Sequence, residues 1–442
     1  MTTQTAESNT LTLARKVAAT VPMIVCPTTH NDWDWQMIFE DYYGNQGSSQ
    51  ADVRSILNSV AATFDGTGNN AYFCFSYAEV GFLRQYLEDS TVDPLSKLRT
   101  LKAAGRRFCL LGGGITSPDN LVCNSELFIR NYLTGHDFLR RVQLIDQVFP
   151  VCWIPDDFGH SPQLPVLFEA MGMKAAGLSR IPGSPQPSPC SAQLADQTVR
   201  ASGLSFNWTG RDGSNVLTHF MPQTYYGITN YSITHTAAAM DAFLRDHAGN
   251  TWPGGVIFAT QGGDWQFPAS DNGAWSGGYT WSEVIGATPS GGGTTASARL
   301  GTFADYFACL EPGASQLLPT TLYAENYWTG HFASRPQLKI DQYYATRQLV
   351  GAEVLASILS MYGGSVQSNI DTPIQSIAKG WHLLVPTSHH DFITGTSPDS
   401  VYDPAQSTET TGAGPIWDSQ GQLRMSGNAA ALADEAMAQA MD

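Results

Sequence analysis

Four short polar clusters, each set just after an apolar run, hold the residue types that metal and acid–base chemistry require. THNDWDWQ (29–36) puts His30 and Asp32 two positions apart, VCWIPDDFGHS (151–161) carries Asp156 and Asp157, VIFATQGGDWQ (256–266) carries Asp264, and WHLLVPTSHHD (381–391) carries His389, His390 and Asp391. On an extended strand end, residues two apart point the same way. His30 and Asp32 therefore make a half-site for a divalent cation, and the same pair reads equally as a buried histidine hydrogen-bonded to its neighbouring acid. The HHD run offers a second half-site from a distant part of the chain. Only one of its histidines would bind, because adjacent side chains diverge. Taken singly, Asp156-Asp157 also reads as a helix cap beside a surface acid, and Asp264 as a turn residue. Two His and two Asp gathered at one face would form a mixed nitrogen–oxygen site, which suits zinc and tolerates cobalt or manganese. Two carboxylates flanking a cleft are the equipment of glycoside hydrolysis. Trp33, Trp35 and Trp265 stand beside these acids, either as flat rings for a sugar to stack on or as core.

The elements that must carry these clusters alternate between strand and helix. Strand-like runs are expected at 22–27, 72–77, 106–114, 151–155, 174–179, 215–222 and 255–264, with helical patterns between several of them, such as 53–64, 126–149 and 240–247. That alternation implies βαβ units with a largely parallel sheet. The expected fold class is α/β: a seven-stranded, barrel-like (β/α) catalytic domain over 1–330, whose chemistry belongs at the C-terminal strand ends. Residues 282–300, rich in Gly, Ser and Thr, read as a loop or lid. After residue 330 long helical patterns take over, at 337–363, 376–386 and 428–441, with a loop-rich insert at 391–427. Residues 331–442 are therefore expected to be a three-helix bundle that carries the HHD motif.

The chain has 442 residues and a formal net charge of −16, with 23 Lys+Arg against 39 Asp+Glu. That imbalance argues against nucleic acid and anionic membranes as partners, and leaves neutral sugars open. No run of about 18 apolar residues is present for a membrane helix. Seven cysteines occur, none in a CxxC pair. An odd count of thiols in apolar runs, with no secretory pattern at the N-terminus, gives a cytoplasmic location as the expectation.

Taken in order, the clusters resemble the signatures of glycoside hydrolase family 38, the α-mannosidases. HNDWDW resembles HxHNDPGW, IPDDFGHSPQLP resembles IDPFGHSPxxP, YWTGHFASRP (327–336) resembles YWTGYxxSRP, and SHHDFITGTS resembles QHHDAITGT. Shorter matches lie between: GGGITSPDN with Glu126 resembles GGWxxPDxN…E, and GGDWQF resembles GDDFxY. The resemblance implies zinc (Zn2+) held by His30, Asp32, Asp156 and His390. It implies Asp156 as nucleophile, Asp264 as general acid/base, and Trp35, Asp391, Arg180 and Tyr226 as sugar-binding residues. The implied reaction is retaining hydrolysis of terminal α-mannosides through a covalent glycosyl-enzyme. The implied substrate is a mannose-containing oligosaccharide or glycoside. Where the family has Pro-Gly this chain has Trp33-Asp34, where it has Pro it has Asp157, and Gly114 and Gly263 stand in place of a tryptophan and a carboxylate. The β-sandwich domains that usually follow in the family are not expected within these 442 residues, which leaves a homo-oligomer or a separate β-domain partner open. Two other readings also remain open: a sugar-binding member without turnover, and another barrel metal hydrolase, for which a second acid at Asp264 would be superfluous.

Overall fold

The computed structural model describes residues 20–44, 52–66, 71–89, 91, 93–180, 204–221, 224–231, 236–247, 255–267, 284–310, 319–320, 329–362, 371–402, 434 and 438. Twelve strands occur among them: β1 (Val21–Pro27), β2 (Phe75–Tyr77), β3 (Phe108–Leu111), β4 (Val148–Phe149), β5 (Val151–Ile154), β6 (Ala175–Leu178), β7 (Ser205–Thr209), β8 (Asn215–Phe220), β9 (Ile257–Gln261), β10 (Ser290–Gly291), β11 (Thr294–Leu300) and β12 (Pro319–Thr320). Each of the seven expected strands is present. Their hydrogen bonds form three sheets, ordered β10-β11-β1-β9, β12-β7-β8-β6-β5 and β2-β3-β4.

Pairing is mostly parallel, as the βαβ alternation requires, with β7–β8 and β10–β11 antiparallel. From Met23 onward β1 is buried on both faces, the pattern of a strand covered by helices on one side and packed inward on the other. A parallel bridge from Thr28 to Ser76 joins the end of β1 to β2. The Gly112 amide donates to the Phe149 carbonyl (2.9 Å) to hold the end of β3 on β4.

The Gly/Ser/Thr-rich stretch expected to be a loop or lid is instead a hairpin. Gly292 and Gly293 both have positive φ, as a two-residue hairpin turn demands. The returning strand β11 pairs in parallel with β1 from Val21 to Val25. Its alternation buries Ala296 and Ala298 beside Met23, Val25, Ile257 and Phe243, a period of two hidden by residues that usually mark loops.

Two of the three expected bundle helices are described, Pro336–Tyr362 and Asp371–Leu384; the third, 428–441, lies almost entirely outside the described residues. Inside the stretch expected to be loop-rich, His390–Thr394 and Asp399–Tyr402 are short helices. The bundle shares a core with the strand–helix region. Ala345, Leu349, Ile377, Trp381 and Leu384 pack in one cluster with Trp33, Phe82, Leu127 and Leu139. Arg130 reinforces the seam, its guanidinium 4.4 Å from the Trp381 ring centre and 2.6 Å from Glu353. The HHD motif is thereby held over the strand ends.

Candidate metal centre and active site

β1 ends at Pro27, and the chain continues extended alongside the end of β9. The His30 amide donates to Gly263 (3.0 Å), the Trp265 amide donates to His30 (3.0 Å), and His30 and Asp264 form a parallel bridge. The first and third clusters are thus neighbours in space. Asp156 follows β5 directly, and His390 opens its short helix on the bundle side.

The four groups meet. His30 Nε2 lies 2.8 Å from Asp32 Oδ1 and 3.9 Å from Asp156 Oδ2; His390 Nε2 lies 3.2 Å and 3.4 Å from the same two oxygens. One ligand atom from each residue falls within 4.8 Å of all the others, and all four residues are buried. His30 Nε2, His390 Nε2 and Asp32 Oδ1 have no hydrogen-bond partner despite this closeness. These ligand atoms gather around a common point. Two buried carboxylates without equal positive charge are costly, and a divalent cation with two neutral imidazoles supplies that charge. The donor set, N2O2 with buried oxygen and imidazole ligands, fits zinc.

Further contacts settle the orientation of each ligand. The Ser117 carbonyl accepts from the His390 amide (3.2 Å) and from its Nδ1 (2.9 Å), which leaves Nε2 facing the centre. His389 Nε2 accepts from the Trp33 amide (3.3 Å) and lies 3.8 Å from Asp32 Oδ1, so that Asp32, His389, His390 and Asp391 form a second group whose ligand atoms fall within 4.8 Å of one another. His30 stacks on Tyr225 with ring centres 4.2 Å apart. Arg180 makes a close ion pair with Asp156 Oδ1 through Nε and Nη2. Arg180 and Trp265 both adopt positive φ, a conformation that costs non-glycine residues about 1–2 kcal/mol and that surrounding packing must impose.

The electrostatics separate the carboxylates. Burial opposes ionisation of Asp156, but the Arg180 guanidinium beside it holds it below the usual range. Burial pushes Asp264 up to about 6, with Asp32 adding to the rise. Tyr226 donates to Asp264 Oδ2 at 2.5 Å. Asp391, also buried, is pushed up to about 7 by burial; its Oδ2 lies 3.6 Å from His390 Nε2 and its Oδ1 accepts from Thr396 (3.2 Å). Asp157 faces away, paired with Asn120.

The aromatic residues divide. Trp33 is fully buried between Phe39 and Phe82 and belongs to the core, not to a sugar platform. Trp265 is buried between Tyr42 and Trp35, with ring centres at 4.3 Å and 5.9 Å. Trp35 is half-buried at the end of that stack. Three contributors escaped the sequence reading: Tyr225, Ser117 and Glu79. Ser117 acts through its backbone, which leaves no side-chain signature. Glu79 did leave one, an acid at the end of the apolar run YFCFSYAEV.

The description "Glycosyl hydrolases family 38 N-terminal domain" matches residues 20–324, and "Alpha mannosidase middle domain" matches residues 326–413. Alpha-mannosidase F of Dictyostelium discoideum is 23% identical over 412 residues, covering 86% of this chain and 38% of that protein. Alpha-mannosidase 2 of Spodoptera frugiperda is 22% identical over 434 residues, covering 86% and 36%. This chain thus spans less than two-fifths of the length of these relatives. Among solved structures, an alpha-mannosidase from Enterococcus faecalis V583 superposes with a TM-score of 0.68 at 16% identity, over 95% of this chain and 42% of that one. The shared fold is mixed α/β, a sheet curled into a half-barrel with helices around it. Two adjoining domain matches that together run from β1 through the HHD motif make this chain a member of glycosyl hydrolase family 38.

Proposed function

We propose that this chain carries a zinc-dependent, retaining α-mannosidase activity on terminal α-mannosides of oligosaccharides or glycosides. The observation that carries the reading is the convergence of His30, Asp32, Asp156 and His390 on one buried point with Asp264 bridged to His30 alongside. Bound among those four groups, zinc would supply Lewis-acid chemistry toward sugar hydroxyls and keep the carboxylates ionised. Asp156, held ionised by Arg180, attacks the anomeric carbon and forms the glycosyl-enzyme. Asp264, protonated below about pH 6, gives its proton to the departing oxygen and later takes one from the attacking water. Tyr226 aims the Asp264 carboxyl through its hydroxyl. Asp391 and Arg180 offer a buried acceptor and donor for sugar hydroxyls, and the half-buried Trp35 offers a ring for the sugar's C–H face. The division of labour between residues 1–330 and 331–442 follows the same reading, the second unit delivering His390. Six free thiols among the described residues, four of them buried, favour a cytoplasmic location.

The test pairs metal analysis with an aryl α-mannoside assay. Stoichiometric zinc, turnover with retention of anomeric configuration, and its loss in Asp156→Asn are the expected results. Sugar binding without product release would instead identify a member that binds and does not turn over.

A further inference from the structure

The metal site depends on a loop that contributes no ligand. Residues 115–119 follow β3 and run against 388–390 from the bundle side. Pro118 and His389 form an antiparallel bridge, the Asp119 amide donates to Ser388 (2.9 Å), and the Ser117 carbonyl takes both the amide and the Nδ1 of His390. This strap is itself held from below at two points. The Asn131 side chain clamps Thr116, accepting from its amide (3.0 Å) and donating to its carbonyl (2.9 Å). The second point is Glu79, whose Oε2 accepts from the Ser117 amide at 3.2 Å. Glu79 is 2% exposed, lies just beyond β2, and forms no ion pair among the described residues. Burying a carboxyl is costly, so its placement calls for a purpose beyond packing.

We infer that Glu79 is a positioning residue of the metal centre: it fixes the Ser117 peptide, and that peptide fixes the imidazole of His390. The inference rests on the metal site proposed above. Ligand-orienting partners of this kind are worth about 10- to 100-fold in metal affinity. The relay here runs through a peptide plane, so a shift of the Ser117 amide rotates the carbonyl on which His390 leans.

The experiment measures zinc affinity of the full chain by competition with a chromophoric chelator, in the unaltered protein and in Glu79→Gln, Glu79→Asp and Glu79→Ala. Glutamine keeps an acceptor oxygen at the same reach, whereas aspartate keeps the charge and withdraws it by one methylene. Expected are affinities within about threefold of the unaltered chain for glutamine, and losses of about 10-fold or more for aspartate and alanine. If alanine prevents folding, the glutamine–aspartate pair decides alone. Leu244→Ala, in a separate cluster, reports the effect of general destabilisation at a comparable fall in Tm. Aspartate binding zinc as tightly as the unaltered chain overturns the proposal. So does glutamine losing as much as aspartate, or Leu244→Ala losing as much as either. An unaltered chain that takes up no zinc removes the metal reading itself, and the proposal with it.

Discussion

Removing one hydroxyl tests how the two carboxylates are kept apart. In Tyr226→Phe the ring keeps its stack on Tyr225, with centres 4.9 Å apart, while Asp264 loses its 2.5 Å donor. A donor favours the ionised form of a carboxylate, so its loss moves the Asp264 pKa upward from about 6. Hydrogen bonds to charged groups contribute about 1.5–3 kcal/mol, and one pKa unit is about 1.4 kcal/mol. The shift is therefore roughly one to two units. Asp264 must be protonated to act as the acid, so activity in the unaltered chain is retained below about pH 6 and falls as pH rises through it. In the variant that alkaline limb of kcat/KM moves to roughly pH 7–8 by the same arithmetic. The acidic limb belongs to Asp156, which Arg180 holds low, and it stays where it was. The assay is kcat/KM on an aryl α-mannoside across the pH range. An alkaline limb that stays put or moves down would refute the assignment of Asp264 as the acid whose charge Tyr226 stabilises.

Asp156→Asn removes the proposed nucleophile and should lower kcat by at least about 10³-fold with the fold intact, read by turnover and circular dichroism. Chelation should abolish turnover and lower Tm, because a ligand present at 100 times its Kd contributes about 2.7 kcal/mol to stability; differential scanning calorimetry with and without chelator reads it. Leu349→Ala empties a position in the core shared by bundle and strand region and should cost about 2–5 kcal/mol in chemical denaturation. Gly135→Ala sets a methyl carbon 2.0 Å from the Gly113 carbonyl oxygen, so it should destabilise by about 1–3 kcal/mol and lower the temperature at which activity is lost.

What the sequence revealed tracks how local each signal is. His30 and Asp32 were legible because a strand end with period two fixes both side chains from their spacing alone. Asp264 was legible as an acid beside an apolar run, but its contact with His30 depends on β1 and β9 being neighbours, which no local pattern encodes. The choice between His389 and His390 was left open by spacing, because it turns on backbone contacts from distant parts of the chain: the Trp33 amide donates to one ring and the Ser117 carbonyl accepts from the other. The hairpin at 290–300 was misread because glycine and serine usually mark loops, and here Gly292-Gly293 form the turn between two paired strands. Trp33 was left open between platform and core for a related reason: composition cannot say whether a ring beside an acid faces the cleft or the core. Gly81 makes room for it, since a methyl there would sit 2.0 Å from the indole.

The proposed acid and nucleophile are the same side chain in two surroundings, and the fold supplies both from its own connectivity. Asp156 ends β5, one strand from β6, whose continuation carries Arg180, so the guanidinium arrives by parallel pairing of adjacent strands. Asp264 ends β9 beside β1, where the neighbours are Trp265, Tyr226, the Asp32 carboxylate and the His30 imidazole; the imidazole offsets part of the rise, and burial dominates. Environments that push two carboxyls in opposite directions assign their roles. The assignment therefore needs no difference in residue type, only the order of strands in the curled sheet. Exchanging the local charge should exchange the behaviour: Arg180→Met takes the guanidinium from Asp156, so its pKa rises and the acidic limb of kcat/KM moves up toward the alkaline one, narrowing the active window from below. An acidic limb that does not move in that variant would show that strand order does not set the charge on the nucleophile.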